Sequence, residues 1–475
     1  MYRLKDEKIK PVGAMSETSQ TLYFDCALLP EGWRANVRVT VKSGRIAAVL
    51  CDAPAQADDI RHWLGIPGIV NVHSHAFQRA MSGLAERRGP SDDDFWSWRE
   101  TMYRFALAMS PDQVEAVAAQ AYVEMLEAGF TSVGEFHYLH HAPDGRAYAN
   151  VAEMSTRIAA AAQATQISLT LLPAFYAHSG FGGAPPSPEQ RRFICDTDGF
   201  GDVVQGARRA LSGLEGGALG LAPHSLRAVT PSELAMLVAM APGEPIHLHI
   251  AEQSGEVAAC LAWSGMRPVE WLLENQSVDA RWLLIHATHM TAKETRGVAA
   301  SGAGVGLCPI TEANLGDGFF NAAEFLANGG RFGVGADSNV EISLAGELRM
   351  LEYSQRLAGR RRNVVAAPAQ SSGRALYEHA QKGGEAALGR AVSGFVIGAS
   401  ADVIAFDRDA LNALGREKDA LLDAWIFSGG AMIDRVYARG RLVVRGGAHI
   451  AREPIAARFR RAMRQLLDRG AAMLN

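Results

Sequence analysis

The sequence predicts an α/β fold: a (β/α)8 TIM-like barrel carrying a small β-sandwich domain assembled from the two ends of the chain. Three observations lead there. The middle of the chain alternates short apolar, strand-like runs with helical patterns, and eight such units can be counted. Both ends read instead as short strands separated by turn residues. Histidines and an aspartate recur at the C-terminal ends of the expected central strands, where barrel enzymes place their sites.

Taken in order, residues 1–19 are polar, lack the apolar stretch of a signal peptide and read as a flexible leader. Residues 20–65 contain TLYFDCALL, ANVRVTVKSG and RIAAVL, three short strands of the small β-domain. The barrel follows over 66–393. Its strands are expected at Ile66–His73, Thr131–Phe136, Ile167–Phe175, Leu219–His224, Ile246–Ala251, Trp282–Ala287, Gly304–Pro309 and Phe332–Asp337. One connecting helix is written out in full. Ser110 is its cap, Pro111 its first residue, Gln113 completes a capping box and Gly129 ends it, while Val114, Val117, Ala118, Ala121 and Met125 share a face. Residues 394–475 return to short strands, in GASADVIAFD and IDRVYARGRLVVRGG, and close the small domain with a C-terminal helix.

Composition narrows the function class. Lys plus Arg is 47 and Asp plus Glu is 51, a net charge of −4 that lacks the basic excess of a nucleic-acid binder. The five cysteines are odd in number and contain no CxxC pair, which argues against a disulfide framework and for a reducing, cytoplasmic setting. No apolar run reaches the ~20 residues of a membrane span.

His73 and His75 lie two residues apart, so on a strand both imidazoles point to one side. Alone, such a pair is equally two unrelated histidines near a turn. Three more residues strengthen it: His249 ends PIHLHIAE, His286 ends WLLIHATH and Asp337 ends RFGVGADS. His73, His75, His249 and Asp337 offer N and O ligands of the kind zinc accepts, with a position left for water. Glu252, just past the fifth strand, is placed as a proton shuttle, although a solvated glutamate at a helix start reads the same way. His247 shares the side of His249 one layer deeper and reads as a core histidine. His137, His140, His141 and His178 fall on loops and read as surface residues. Only seven of the basic residues are lysines, and none falls on an expected barrel strand. A carboxylated lysine bridging two ions is therefore not available, and a single metal is the better reading.

The constellation resembles the amidohydrolase superfamily and its mononuclear deaminase branch. Within that branch HSHAFQRAMSGLAE, DDFWSWRETMYR, TSVGEFHYLHH and APHSLRAVT resemble the formimidoylglutamate deiminases. The resemblance spans nearly the whole chain. It implies hydrolysis of N-formimino-L-glutamate to N-formyl-L-glutamate and ammonia in histidine degradation, by attack of metal-bound hydroxide on the formimino carbon. It assigns His73, His75, His249 and Asp337 to one divalent metal, Zn2+ by ligand type, and Glu252, His286 and Asp337 to the chemistry. It puts Gln78, Arg99, Tyr138, His224 and Arg227 around the substrate, with Arg99 and Tyr138 on loops and Arg99 and Arg227 gripping carboxylates. Trp96 and Trp98 flank the Arg99 loop, either covering the site or simply packing it. The resemblance also implies a homodimer. Two other readings stay open: a deaminase of the same branch acting on a purine, pyrimidine or triazine ring, and a barrel serving as a non-enzymatic scaffold.

Overall fold

The computed structural model describes residues 19–88, 94–390 and 394–470. The leader expected over 1–19 therefore lies, except for Ser19, outside the described residues. Two sheets organise the rest. The central one is parallel, with strands β1 (Ile69–Ser74), β2 (Phe130–His137), β3 (Ser168–Phe175), β4 (Gly217–Leu219, continued by Ala222–Pro223), β5 (Ile246–Ile250), β6 (Trp282–His286), β7 (Gly304–Leu307) and β8 (Arg331–Val334). They hydrogen-bond in the order β5-β6-β7-β8-β1-β2-β3-β4. Parallel bridges Leu221–Ile246 and Ser225–His249 join β4 back to β5 and close the barrel. Strands buried on both faces read as continuous apolar runs rather than alternating ones, as β3 and β6 do.

The second sheet joins the two ends of the chain. Ser19–Leu29, Gly32–Lys42, Arg45–Leu50 and Ile60–Pro67 connect with Val403–Phe406, Ile433–Ala438, Arg441–Arg445 and Ala448–His449 in one hydrogen-bonded path. The junction is the antiparallel pairing of Val403–Phe406 with Leu64–Pro67. Leu22, Phe24, Val37, Val39, Ile46 and Val403 form a small core of this sheet's own. The expected C-terminal helix is present as Arg452–Gly470.

Two expected strands differ in detail. The run Ile66–His73 is divided: Ile66 and Pro67 belong to the terminal sheet, and the barrel strand begins at Ile69. The fourth strand, expected over Leu219–His224, breaks after Leu219. Leu221 turns its N–H to Pro245 O on the far side, which helps close the barrel, and pairing with β3 resumes at Ala222–Pro223.

Two helices matter for the site. Helix α1 (Phe95–Ala108) is opened by a capping box between Asp94 and Ser97. Arg99, Trp96 and Trp98, expected on a loop, ride on this helix. Helix α2 (Pro111–Ala128) has the expected Ser110–Gln113 capping box and ends at Gly129 in the left-handed conformation.

Candidate functional site

The C-terminal ends of the barrel strands converge on one cavity enclosing about 560 Å³ of space. Gln78, Arg99, Tyr138, His224, Arg227, Glu252 and His286 line it together with His75, His249 and Asp337. His73 lies just beneath, fully buried. The structure thus brings together every site residue the sequence singled out.

The backbone at this rim is unusual. Ala251, His286, Ala287 and Asp337 all adopt positive φ. Non-glycine residues there store strain of roughly 1–3 kcal/mol each, which surrounding structure must hold in place. Part of that holding is visible. Asn71 Oδ1 accepts from the His73 N–H at 3.2 Å and from the Ala336 N–H at 3.1 Å, tying β1 to the segment after β8. Asn339 Nδ2 donates to the His75 and Asp337 carbonyls. Gly335 lies so close to β1 that a Cβ would meet the His73 backbone at 2.7–2.8 Å, so no larger residue fits there.

His75 Nδ1 donates to Phe136 O at 2.8 Å, and His249 Nδ1 donates to His224 O at 2.9 Å. These bonds fix the tautomers and leave the Nε2 lone pairs facing inward. His249 Nε2 stands 3.0 Å from His73 Nε2, and Asp337 Oδ1 stands 3.4 Å from Nε2 of both His73 and His75. One donor atom from each of the four residues lies within 4.8 Å of the others. Inward lone pairs and a carboxylate crowded this closely fit a divalent cation. Burial lowers the His73 pKa to about 3 and pushes His249 well down, so both are neutral imidazoles, the form a metal binds. Burial opposes the charge on Asp337, yet the His73 hydrogen bond and the nearby imidazoles hold its carboxyl below the usual range. A second group, His286, Cys308 and Asp337, is similarly close. The first set offers four donors against three and shares Asp337 with the second, so it is the better one.

Around these ligands stand the acid–base groups. Burial raises the Glu252 pKa to about 7, against the pull of His286 and Arg227. It is buried, not the solvated helix-start glutamate that its sequence position also allowed. His286 Nε2 is 3.7 Å from Glu252 and 3.9 Å from Asp337. Burial disfavours charge on His286, but Glu252, Glu312 and Asp337 outweigh it and lift its pKa to about 10. Sequence reasoning missed Glu312. It lies on helix α3 (Pro309–Leu315), accepts from the Cys308 N–H at 2.9 Å and from His286 Nδ1 at 3.3 Å, and so orients the ring. An acid in the first turn of a proline-opened helix, directly after a barrel strand, was the available signal.

Arg227 is buried and Arg99 half-buried, and neither pairs with a carboxylate among the described residues. Arg99 stacks on Trp96 at 4.4 Å and on Tyr103 at 5.4 Å. Among the described residues Arg227 Nε has no hydrogen-bond partner, and neither does Gln78 Oε1. Buried polar atoms left unmatched by the protein are costly unless a ligand completes them. Trp98 lines the cavity, whereas Trp96 is 40% exposed on its outer side.

The other histidines divide differently from expectation. His247 is a core residue, its Nε2 donating to Ala387 O at 2.8 Å. His137, His140 and His141, expected at the surface, are buried or half-buried, and their Nε2 atoms donate to the Leu139, Ala174 and Ile194 carbonyls. They answer backbone carbonyls at the end of β3 and in the segments that follow the strands. His178 is half-buried against Glu233 at 2.9 Å.

Residues 65–443 match the model of the amidohydrolase family. The chain belongs to that family. Residues 21–63 match the N-terminal domain of the formimidoylglutamate deiminase HutF. A formimidoylglutamate deiminase of Pseudomonas aeruginosa is 49% identical over 451 residues, which cover 94% of this chain and 99% of that enzyme. An 8-oxoguanine deaminase of the same organism is 27% identical, with 86% and 90% covered. Among solved structures, an amidohydrolase from Brucella melitensis superposes with a TM-score of 0.92 at 55% identity, covering 94% of this chain and all of that one. A zinc-bound adenosine deaminase from Xanthomonas campestris superposes with a TM-score of 0.76 at 22% identity, a likeness of fold alone.

Proposed function

We infer that this chain catalyses the hydrolytic deimination of N-formimino-L-glutamate to N-formyl-L-glutamate and ammonia, a step of histidine degradation. One observation carries the reading. The His73/His75/His249/Asp337 ligand set opens into the same cavity as two guanidinium groups without carboxylate partners, in a chain 49% identical to the P. aeruginosa enzyme. A flat heterocycle gives neither arginine a counter-charge, whereas the glutamyl part of this substrate carries two.

His73, His75, His249 and Asp337 would hold one Zn2+, which when bound lowers the pKa of a water to ~7 and supplies hydroxide at neutral pH. The remaining steps belong to side chains. The formimino group is an amidine and cationic near pH 7, which makes its carbon electrophilic. Asp337, kept ionised by the imidazoles around it, takes the proton of the attacking water. His286, oriented by Glu312, hydrogen-bonds the oxygen added to that carbon and stabilises its charge. Glu252 holds the imino nitrogen and, with its pKa near neutrality, hands it the proton with which ammonia leaves. Gln78, Tyr138 and His224 orient the substrate, and Arg99 and Arg227 grip its carboxylates.

Ammonia release from N-formimino-L-glutamate, measured beside guanine, cytosine and adenosine, tests the reading. Release from a ring substrate alone would overturn it, and no release from any substrate by metal-loaded protein would favour the scaffold reading. A single ion is supported by the absence of lysine from the barrel strands, and elemental analysis should find about one zinc per chain. The cysteines are free among the described residues, in keeping with a reducing, cytoplasmic setting testable by cell fractionation, and none of the described helices is long and apolar enough to cross a membrane. Its expected homodimeric state is testable by sedimentation equilibrium.

A further inference from the structure

We propose that Tyr103 and Tyr176, set by Gln190, form a hydroxyl clamp that binds one substrate carboxylate between Arg99 and Arg227. The proposal rests on the dicarboxylate reading above and names residues that reading does not use.

Gln190 is fully buried on the segment that walls the cavity. Its Oε1 accepts the Ser187 N–H at 2.8 Å, so its other end must be the amide nitrogen. That Nε2 donates to Tyr176 Oη at 2.8 Å and to Tyr103 Oη at 3.4 Å. Both phenol oxygens therefore act as acceptors towards Gln190, and each still has its own O–H to give. No acceptor among the described residues takes either proton. Both rings line the cavity, as do Arg99 and Arg227. Tyr138 is the contrast: its hydroxyl accepts from Gln78 at 2.8 Å and already points its proton at Met102 Sδ, 3.8 Å away.

The donors fit an anion and not a neutral group. An ionised carboxylate accepts about four hydrogen bonds and donates none. Two phenol protons and two guanidinium groups, one of them with an unpartnered Nε–H, match that inventory. A carboxamide in the same place would turn an N–H2 towards donors. Burial and the neighbouring Tyr176 push the Tyr103 pKa up to about 12, so the phenol stays a donor at every working pH. The amide of Gln190 also holds the two oxygens in place before substrate arrives, which lowers the ordering cost of binding.

The test removes only the hydroxyls. Tyr103→Phe and Tyr176→Phe should each raise KM for N-formimino-L-glutamate about tenfold or more, the worth of a hydrogen bond to a charged group, with kcat within about twofold. The double variant should also weaken binding of glutarate, a plain dicarboxylate, to metal-loaded protein by about a hundredfold in calorimetry. It should bind glutaramic acid, the mono-amide, with a smaller loss. A merely structural brace would lower thermal stability and leave these affinities alone. Unchanged KM and unchanged glutarate binding in the double variant would overturn the clamp. Failure of the wild type to turn over N-formimino-L-glutamate would instead strike the functional reading, and the glutarate measurement would still decide the clamp.

Discussion

The two ends of the barrel both hold polar cavities, and they differ in whether their guanidinium groups are tied to the rest of the protein. At the floor, where the terminal sheet docks, Arg45, Arg390 and Arg439 line a cavity with Glu215, Glu385 and Asp402. Arg439 gives its backbone N–H to Asp402 at 2.7 Å and a guanidinium N–H to Ser168 at 2.6 Å, and Arg390 reaches Gly216 O at 3.0 Å, while the Nε of each has no partner among the described residues. At the mouth, the Arg99 and Arg227 guanidinium groups make no hydrogen bond or ion pair among the described residues, and the carboxylates present converge on histidines. His247 and His249 repeat the contrast two residues apart on β5. The deeper ring spends Nε2 on a backbone carbonyl, while the upper one spends Nδ1 and keeps Nε2 for the site. A guanidinium tied to a hydroxyl or a backbone carbonyl braces the fold, whereas one with no hydrogen bond inside the protein is open to a ligand.

Breaking the mouth should cost function first. His249→Ala removes a ligand, so bound zinc should fall well below one equivalent and turnover should drop below detection. Full turnover with normal metal content would exclude His249 from the site. Glu252→Gln keeps shape and metal but cannot ionise, and kcat should fall by ~10²–10⁴-fold. Elemental analysis beside the rate distinguishes this from metal loss.

Smaller effects sharpen the comparison. Arg227→Met should raise KM by ~10–100-fold with kcat less affected, since it removes charge-assisted hydrogen bonds to substrate. The matching floor variant, Arg439→Met, should lower Tm and leave KM unchanged. Equal effects of the two on KM would erase the distinction between the two ends. The smallest effect concerns Glu135, whose carboxyl is buried under the HxH turn and accepts the Ala76 N–H at 2.7 Å. Burial raises its pKa to about 8, so the folded chain keeps a proton that the unfolded chain releases above ~4.3. Its contribution to stability is fully present below that lower value and is lost as pH rises towards 8. Glu135→Gln carries no such charge, so its Tm relative to wild type should rise between pH 5 and pH 8. A constant Tm difference would show that Glu135 does not titrate in this window.

The strand ends, the HxH pair, His249, His286 and Asp337 were legible in the sequence because each depends on local pattern. A short apolar run defines a strand, its last residue faces the barrel mouth, and alternation sets the side. The capping signals of α2 are local in the same sense. The rest was settled by contacts across long stretches of chain. Glu312 meets His286 only because α3 folds back over β6, and Gln190 meets Tyr103 across 87 residues. His137 and His140 look like loop residues, yet His137 closes β2 and both rings are buried, each donating to a backbone carbonyl. Arg99 left its expected loop once Asp94 capped a helix, and the first barrel strand began at Ile69 because Ile66 and Pro67 pair with Val403 and Ile404. The sequence by itself determined which chemical groups reach the mouth. Which of them are already satisfied depends on the tertiary structure, because a hydrogen-bond partner is a matter of position in space.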